Sequence, residues 1–349
     1  MNIASAASAL PKHYYPQSIL LAALQQFWGP KVDNPHFMER LQAHIGVDGR
    51  YLALPMEQYA GLTRWGAANQ HWIEIAQELG EQALGCALKR AGLEPTDLDA
   101  LFFVSISGIC SPSIDARLVN RMGLSKNLKR VPIFGLGCVG GAAGVARAAD
   151  YVRAFPKQVA AVLAVELCSL TFQQDDLSVA NLISAGLFGD GAGAVVVTGT
   201  ERALPGPEIL ATRSVFYPDT EEVMGWDISE KGFKIVLSRD VPAVIEKHLA
   251  GDVDAFLADH SLTRADLGSF ILHTGGPRVL EATESALGLP AGSLDASWTC
   301  LRRTGNLSSA SVLLVLEEVM LHRRPASGTY SLLAAMGPGF CSELVLLRW

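Results

Sequence analysis

Short apolar runs bounded by glycine turns alternate with helical patterns along this chain, and that alternation restricts its fold more than any other feature. DALFFVSISG (99–108), RVPIFGLG (130–137), QVAAVLAVEL (158–167) and GAVVVTG (193–199) are near-continuous apolar runs, the pattern of strands buried on both faces. Between them, HWIEIAQELGEQALGCALKRAGL (71–93), DARLVNRMGL (115–124) and GAAGVARAADYVRAF (141–155) read as helices. A second series repeats the theme: helix 241–260, strand 268–276, helix 277–289, helix 306–324, and closing strands 328–339 and 341–349. This order predicts an α/β protein with mixed or parallel sheets. Both halves run helix, strand, glycine turn, helix, which makes an internal duplication the simplest plan. The polar segment 200–233, with Pro205, Pro207 and Pro218, is the expected join between a half at 1–200 and a half at 201–349.

Composition bounds the function. The 349 residues suffice for about two domains. An apolar content of 49% against 18% charged residues excludes intrinsic disorder and hints at further buried surface, as in an obligate dimer. A net charge of −7 argues against nucleic acid as a bulk partner, though local arginines can still hold a small anion. The cysteines Cys86, Cys110, Cys138, Cys168, Cys300 and Cys341 are scattered, which fits reduced thiols and a cytoplasmic location better than a disulfide framework or a metal site. The opening MNIASAASALPKHYYP has no early positive charge and is interrupted by Pro11, so it does not read as a secretory signal. No uncharged apolar stretch reaches the ~18 residues of a membrane span.

Several residues can carry chemistry. In GLGCVGGAAG (135–144) a strand runs through glycines into Cys138 at a helix start. The helix dipole there favours thiolate, and neighbouring N–H groups can hold an oxyanion. A buried structural cysteine is the plain alternative. His273 ends a strand and opens the turn TGGP, and strand C-terminal ends are where α/β sites gather. Asn306, in RTGNLSSAS, stands at an expected helix N-terminus; its ordinary job there is an N-cap, which Ser308 and Ser309 could share. LFGDGAGAVVV places Phe188 where it can wall a pocket or simply fill the core, and AMGPGF makes a tight turn near the C-terminus.

These segments together resemble the type III polyketide synthases of the chalcone/stilbene synthase superfamily. The resemblance rests on GLGCVGGAAGVARAADYV, LFGDGAGAVVV, LHTGGPRVLEATESALGL, RTGNLSSASVLLVLEE and MGPGF, and runs from about residue 37 to the C-terminus. It implies a thiolase-like, duplicated five-layered αβαβα fold and a homodimer. It also implies a catalytic Cys138, His273 and Asn306, with His273 as imidazolium favouring the Cys138 thiolate. Phe188 would match the gatekeeper between a coenzyme A tunnel and the cavity, and Gly337-Pro338-Gly339 the active-site scaffold loop.

The implied reaction is iterative decarboxylative condensation of malonyl-CoA onto an acyl starter, with no metal or redox cofactor. GICSPSIDARLVNRMGL and VELCSLTFQ look most like bacterial alkylpyrone and alkylresorcinol synthases, which take fatty acyl-CoA starters. Ser111, Thr171 and Cys168 would then line the cavity or tunnel. At the coenzyme A mouth Arg40 and Arg50 are retained, the lysine positions read Phe37 and His44, and Gly275 and Arg278 could also face the cofactor. Delivery by acyl-carrier protein stays open beside acyl-CoA. Rival readings are a ketoacyl-synthase-III-like single condensation or acyl transfer, a Cys-His-Asn thioester hydrolase, and a non-catalytic partner subunit. The last usually lacks the cysteine that this chain keeps.

Overall fold

A computed structural model describes residues 1–31, 44–202 and 204–349. The first half comprises β1 (Asn2–Ala9), β2 (His13–Pro16), α1 (Gln17–Trp28), β3 (Gly49–Leu52), α2 (Trp65–Arg90), β4 (Ala100–Val104), α3 (Ile114–Met122), β5 (Lys129–Ile133), α4 (Gly140–Ala154), β6 (Val159–Leu167), α5 (Val179–Leu187) and β7 (Asp190–Thr198). The second comprises β8 (Glu208–Phe216), β9 (Met224–Ser229), β10 (Gly232–Leu237), α6 (Val241–Ala258), β11 (Leu267–Leu272), α7 (Pro277–Leu287), α8 (Asp295–Thr304), α9 (Ser311–His322), β12 (Tyr330–Gly337) and β13 (Cys341–Arg348).

The strand order shows the duplication directly. In the first half it is β5-β4-β6-β7-β1, in the second β11-β12-β13-β8. Each half pairs its first two matching strands in parallel (β4 with β6, β11 with β12), then turns antiparallel through β7 to β1 or through β13 to β8. Only the first half adds an outer strand, β5, parallel to β4. The two sheets meet at a single register pair, Asn2 with Glu208.

Two helices fill the space between the sheets, and their sequences suit the place. α4 (GGAAGVARAADYVRA) is almost entirely small residues and is buried on most of its circumference. α9 is buried from Ser311 to Val319. A helix apolar on all sides belongs inside a protein. Small side chains on α4 let it touch both sheets, β4 and β6 on one side and β12 and β13 on the other. α2 and α3 cover the outer face of the first sheet, and α6 and α7 that of the second. The result is a five-layered, thiolase-like αβαβα stack.

Two expectations need correction. The segment 200–233 is not a linker throughout. Residues 208–216 form an inner strand paired along its length with β13, and 224–237 form a hairpin. Its prolines lie outside those strands, where a missing N–H breaks no ladder. The opening run, read only as a non-signal, is β1, a strand at the junction of the two sheets.

Candidate active site

The duplication brings equivalent chain positions of the two halves face to face. Cys138 lies in the short 3-10 turn Gly137–Val139 that leads into α4. Asn306 lies just ahead of the turn Ser308–Ala310 that leads into α9. His273 immediately follows β11. All three side chains line one largely apolar cavity of about 480 Å³.

The cysteine's turn depends on close backbone approach. Gly137 has φ +52°, and a Cβ there would lie 2.6 Å from Cδ of Pro338. A Cβ on Gly337 would lie 2.6 Å from both the Leu136 carbonyl oxygen and the Val139 nitrogen. Gly337 and Pro338 are thus pressed against the Cys138 turn. Pro338 reaches the cavity wall, whereas Gly337 and Gly339 are absent from the lining: Gly337 acts through this contact, and Gly339, at φ +112°, turns the chain beside Phe216.

The sulfur is not paired with the imidazole, contrary to expectation. Its hydrogen-bond partner is the Ser308 hydroxyl, at 3.6 Å. Both ring nitrogens of His273 are buried without a hydrogen-bond partner among the described residues. Burial pushes the Cys138 thiol up to about 12 and draws His273 down to about 4. At neutral pH both groups are therefore uncharged. The helix start does not lower the thiol pKa, because desolvation of the charged form outweighs it. Ser308 itself sits at φ +47°, a left-handed conformation that costs energy in a non-glycine residue. That conformation lets its N–H donate to Asn306 Oδ1 at 2.7 Å while its hydroxyl faces the sulfur.

The side-chain oxygen of Asn306 is committed to the turn that leads into α9. Oδ1 accepts from Ser308 N and from the Ser311 hydroxyl at 3.4 Å, so it braces the turn before α9, although the N-cap positions are Leu307 for that turn and Ala310 for α9. The Asn306 amide nitrogen is left as donor, with only a long 3.4 Å contact to the Gly275 carbonyl. Beneath the site, buried Glu166 accepts from the Ile106 and Ser107 N–H groups at 3.2 and 3.1 Å, from the Ser107 hydroxyl at 2.7 Å, and from Ser309.

Phe188 lines both this cavity and a second one of about 170 Å³, as do Trp226 and Ile235. Cys168 and Thr171 line the second cavity, with the Thr171 hydroxyl bonded to the Cys168 carbonyl at 2.8 Å. Gly275 and the exposed Arg278 line the first. Ser111 lines neither: it is exposed on the loop after β4, and Ile106 supplies the wall instead. Arg50 is buried, 3% exposed, and lines the second cavity without reaching the first. Arg40 and Phe37 lie outside the described residues. His44 does line the cavity, beside Arg239, which sequence reasoning missed. Ile106, Glu166 and the hairpin wall were missed as well; Glu166 had no signal beyond being an acid in an apolar strand.

Comparison with known proteins gives the family. The model for chalcone and stilbene synthases, N-terminal domain, matches residues 56–201, and that for the C-terminal domain matches 208–349. The chain belongs to the chalcone and stilbene synthase family. It is 50% identical to 1,3,6,8-tetrahydroxynaphthalene synthase of Streptomyces peucetius subsp. caesius, over 100% of this chain and 93% of that protein. It is 38% identical to a putative chalcone synthase of Bacillus subtilis (strain 168), over 87% of this chain and 86% of that one. The crystal structure of 1,3,6,8-tetrahydroxynaphthalene synthase from Streptomyces coelicolor A3(2), a bacterial type III polyketide synthase, superposes with TM-score 0.96 at 31% identity, covering 100% of this chain and 99% of that one. This chalcone and stilbene synthase relative is accordingly a type III polyketide synthase, an acyltransferase that condenses malonyl-CoA.

Proposed function

We propose that this polyketide synthase builds a poly-β-keto chain on Cys138 and closes it to a hydroxylated aromatic product of the tetrahydroxynaphthalene class. In acylation, Cys138 Sγ attacks the starter thioester and its proton passes to His273. The coenzyme A thiolate leaves and takes that proton. The neutral resting pair suits this order, because charge then develops only when substrate is present to be attacked. Malonyl-CoA next enters and its carboxylate leaves as CO₂. The Asn306 amide and a His273 N–H donate to the enolate oxygen, a type of interaction worth about 3–4 kcal/mol per donor. The enolate carbon attacks the Cys138 thioester, and the sulfur leaves as thiolate.

The observation that carries this reading is the convergence of Cys138, His273 and Asn306 in one buried chamber. The full-length 50% identity to a tetrahydroxynaphthalene synthase favours that product class. A second reading, a fatty acyl starter giving an alkylpyrone or resorcinol, is favoured by the apolar second cavity behind Phe188 with Cys168 and Thr171 in its wall. Under either reading Arg278 and Arg239 serve the phosphates of coenzyme A, or of a carrier protein's phosphopantetheine.

The deciding experiment supplies carboxyl-labelled malonyl-CoA alone, then with acyl-CoA starters from acetyl to stearoyl, and identifies products by mass spectrometry. An aromatic product from malonyl-CoA alone supports the first reading. Products that require a long starter support the second. Thioester hydrolysis without release of labelled CO₂ rejects both.

A further inference from the structure

Arg50 lies where the segment bearing Phe188 and the segment bearing Asn306 meet. Among the described residues its guanidinium forms no ion pair. Its Nη1 donates to the Phe188 carbonyl oxygen at 2.6 Å, and its Nε donates to Gln17 Oε1 at 3.1 Å. Gln17 in turn donates through Nε2 to the Gly186 carbonyl at 2.7 Å. Two side chains from β3 and α1 thus grip the end of α5 on both sides of Leu187. On its other flank the stem of Arg50 packs against Gly305, where a Cβ would lie 3.1 Å from Arg50 Cδ. Asn306 is tied to the same backbone. Its N–H donates to the Leu187 carbonyl at 2.9 Å, and its carbonyl accepts from Gly189 N at 3.0 Å.

A buried cation held mainly by neutral acceptors is costly, so its persistence calls for a reason beyond packing. Burial draws Arg50 down to about 10, with Asp190 and Tyr59 raising it in opposition. The charge therefore survives at neutral pH. The planar fork also fixes geometry, because it reaches two acceptors in set directions, which a lysine ammonium on a flexible stem does not reproduce.

We propose that Arg50 is a positioning residue that holds the Phe188 gate and the Asn306 amide in a common register. It sets the donor that the enolate needs from outside the Cys138 chamber, its side chain lying on the wall of the second cavity. The inference rests on the proposed role of Asn306. It predicts a separation of half-reactions, because acylation of Cys138 does not use the Asn306 amide and malonyl decarboxylation does.

The test is Arg50→Lys, read by CO₂ release from malonyl-CoA, by mass-spectrometric acylation of Cys138, by product length and by melting temperature. Decarboxylation is expected to fall about 10- to 100-fold, the scale of a small misplacement of a reacting group. Acylation keeps its wild-type rate, and products shift to shorter, early-released chains. Gln17→Met loosens the fork without removing the buried charge, and should show the same split more weakly. Wild-type decarboxylation and product length in folded Arg50→Lys would overturn the proposal. So would a parallel loss of both half-reactions in proportion to unfolded protein. If Arg50→Lys does not fold, an unchanged ratio of decarboxylation to acylation in Gln17→Met overturns it. Asn306→Ala is run alongside: decarboxylation surviving in that variant would reject the role of Asn306 itself, a failure distinct from that of Arg50.

Discussion

Under the proposed mechanism, Cys138 is a nucleophile kept as a thiol until substrate arrives. Desolvation pushes its pKa up to about 12, and Ser308 is the hydroxyl that opposes this shift. A raised thiol pKa means that the reactive thiolate fraction grows throughout the alkaline range and does not plateau near neutrality. Alkylation of substrate-free enzyme by iodoacetamide should therefore keep accelerating above neutral pH. Ser308→Ala should slow it further, about 2- to 10-fold, the worth of one net hydrogen bond. A plateau near neutrality would mean that a thiolate–imidazolium pair exists before substrate binds. The sequence named Cys138, His273 and Asn306, because glycine turns and strand ends mark where side chains are exposed to a cavity. It could not name Ser308 as the sulfur's partner, since that contact depends on a positive φ and on a residue 170 positions away in the chain.

The elements around the site are held by close backbone approach and one buried acid. In Gly337→Ala the new methyl would meet the Leu136 carbonyl and the Val139 nitrogen, main-chain atoms that cannot swing aside. The expected cost is about 1–3 kcal/mol of stability, with β12 pushed off the nucleophile turn and activity lost beyond what unfolding explains. Thermal melts with single-turnover acylation check this. Glu166 ties the end of β4 to β6 and to the turn before α9, and burial raises it from 4.5 to about 7. The folded state then binds more protons than the unfolded chain between those values, so this group's contribution to stability declines as pH rises through that window. The stability advantage of the wild type over Glu166→Gln should accordingly shrink from about pH 5 to about pH 8, as measured by urea unfolding at each pH.

For the whole molecule, the outer strand of the first sheet is the exposed feature that most needs explaining. β5 is a sheet edge, and Lys129 to Pro132 are exposed, followed by Phe134 at 46%. Lys129, Arg130 and Pro132 blunt this short edge against strand pairing, but the exposed Val131 and Phe134 beside them are apolar surface of the kind an interface covers. Together with the low charge content this supports the homodimer that the family resemblance implies. Light scattering should return twice the 37.3 kDa chain mass, and Phe134→Asp should shift the population toward the monomer. A monodisperse single chain would reject the dimer.

The sequence by itself determined the α/β class, the duplicated order of elements and the three residues of the proposed chemistry. These follow from local periodicity and turn chemistry, which act over a few residues. Only the tertiary structure decided that 208–216 is an inner strand and that the hairpin after it walls the cavity. It alone placed Arg50 in the interior and left Cys138 and His273 neutral. Those outcomes depend on burial and on contacts between distant segments, and a side chain's desolvation is set by whatever the rest of the chain packs around it.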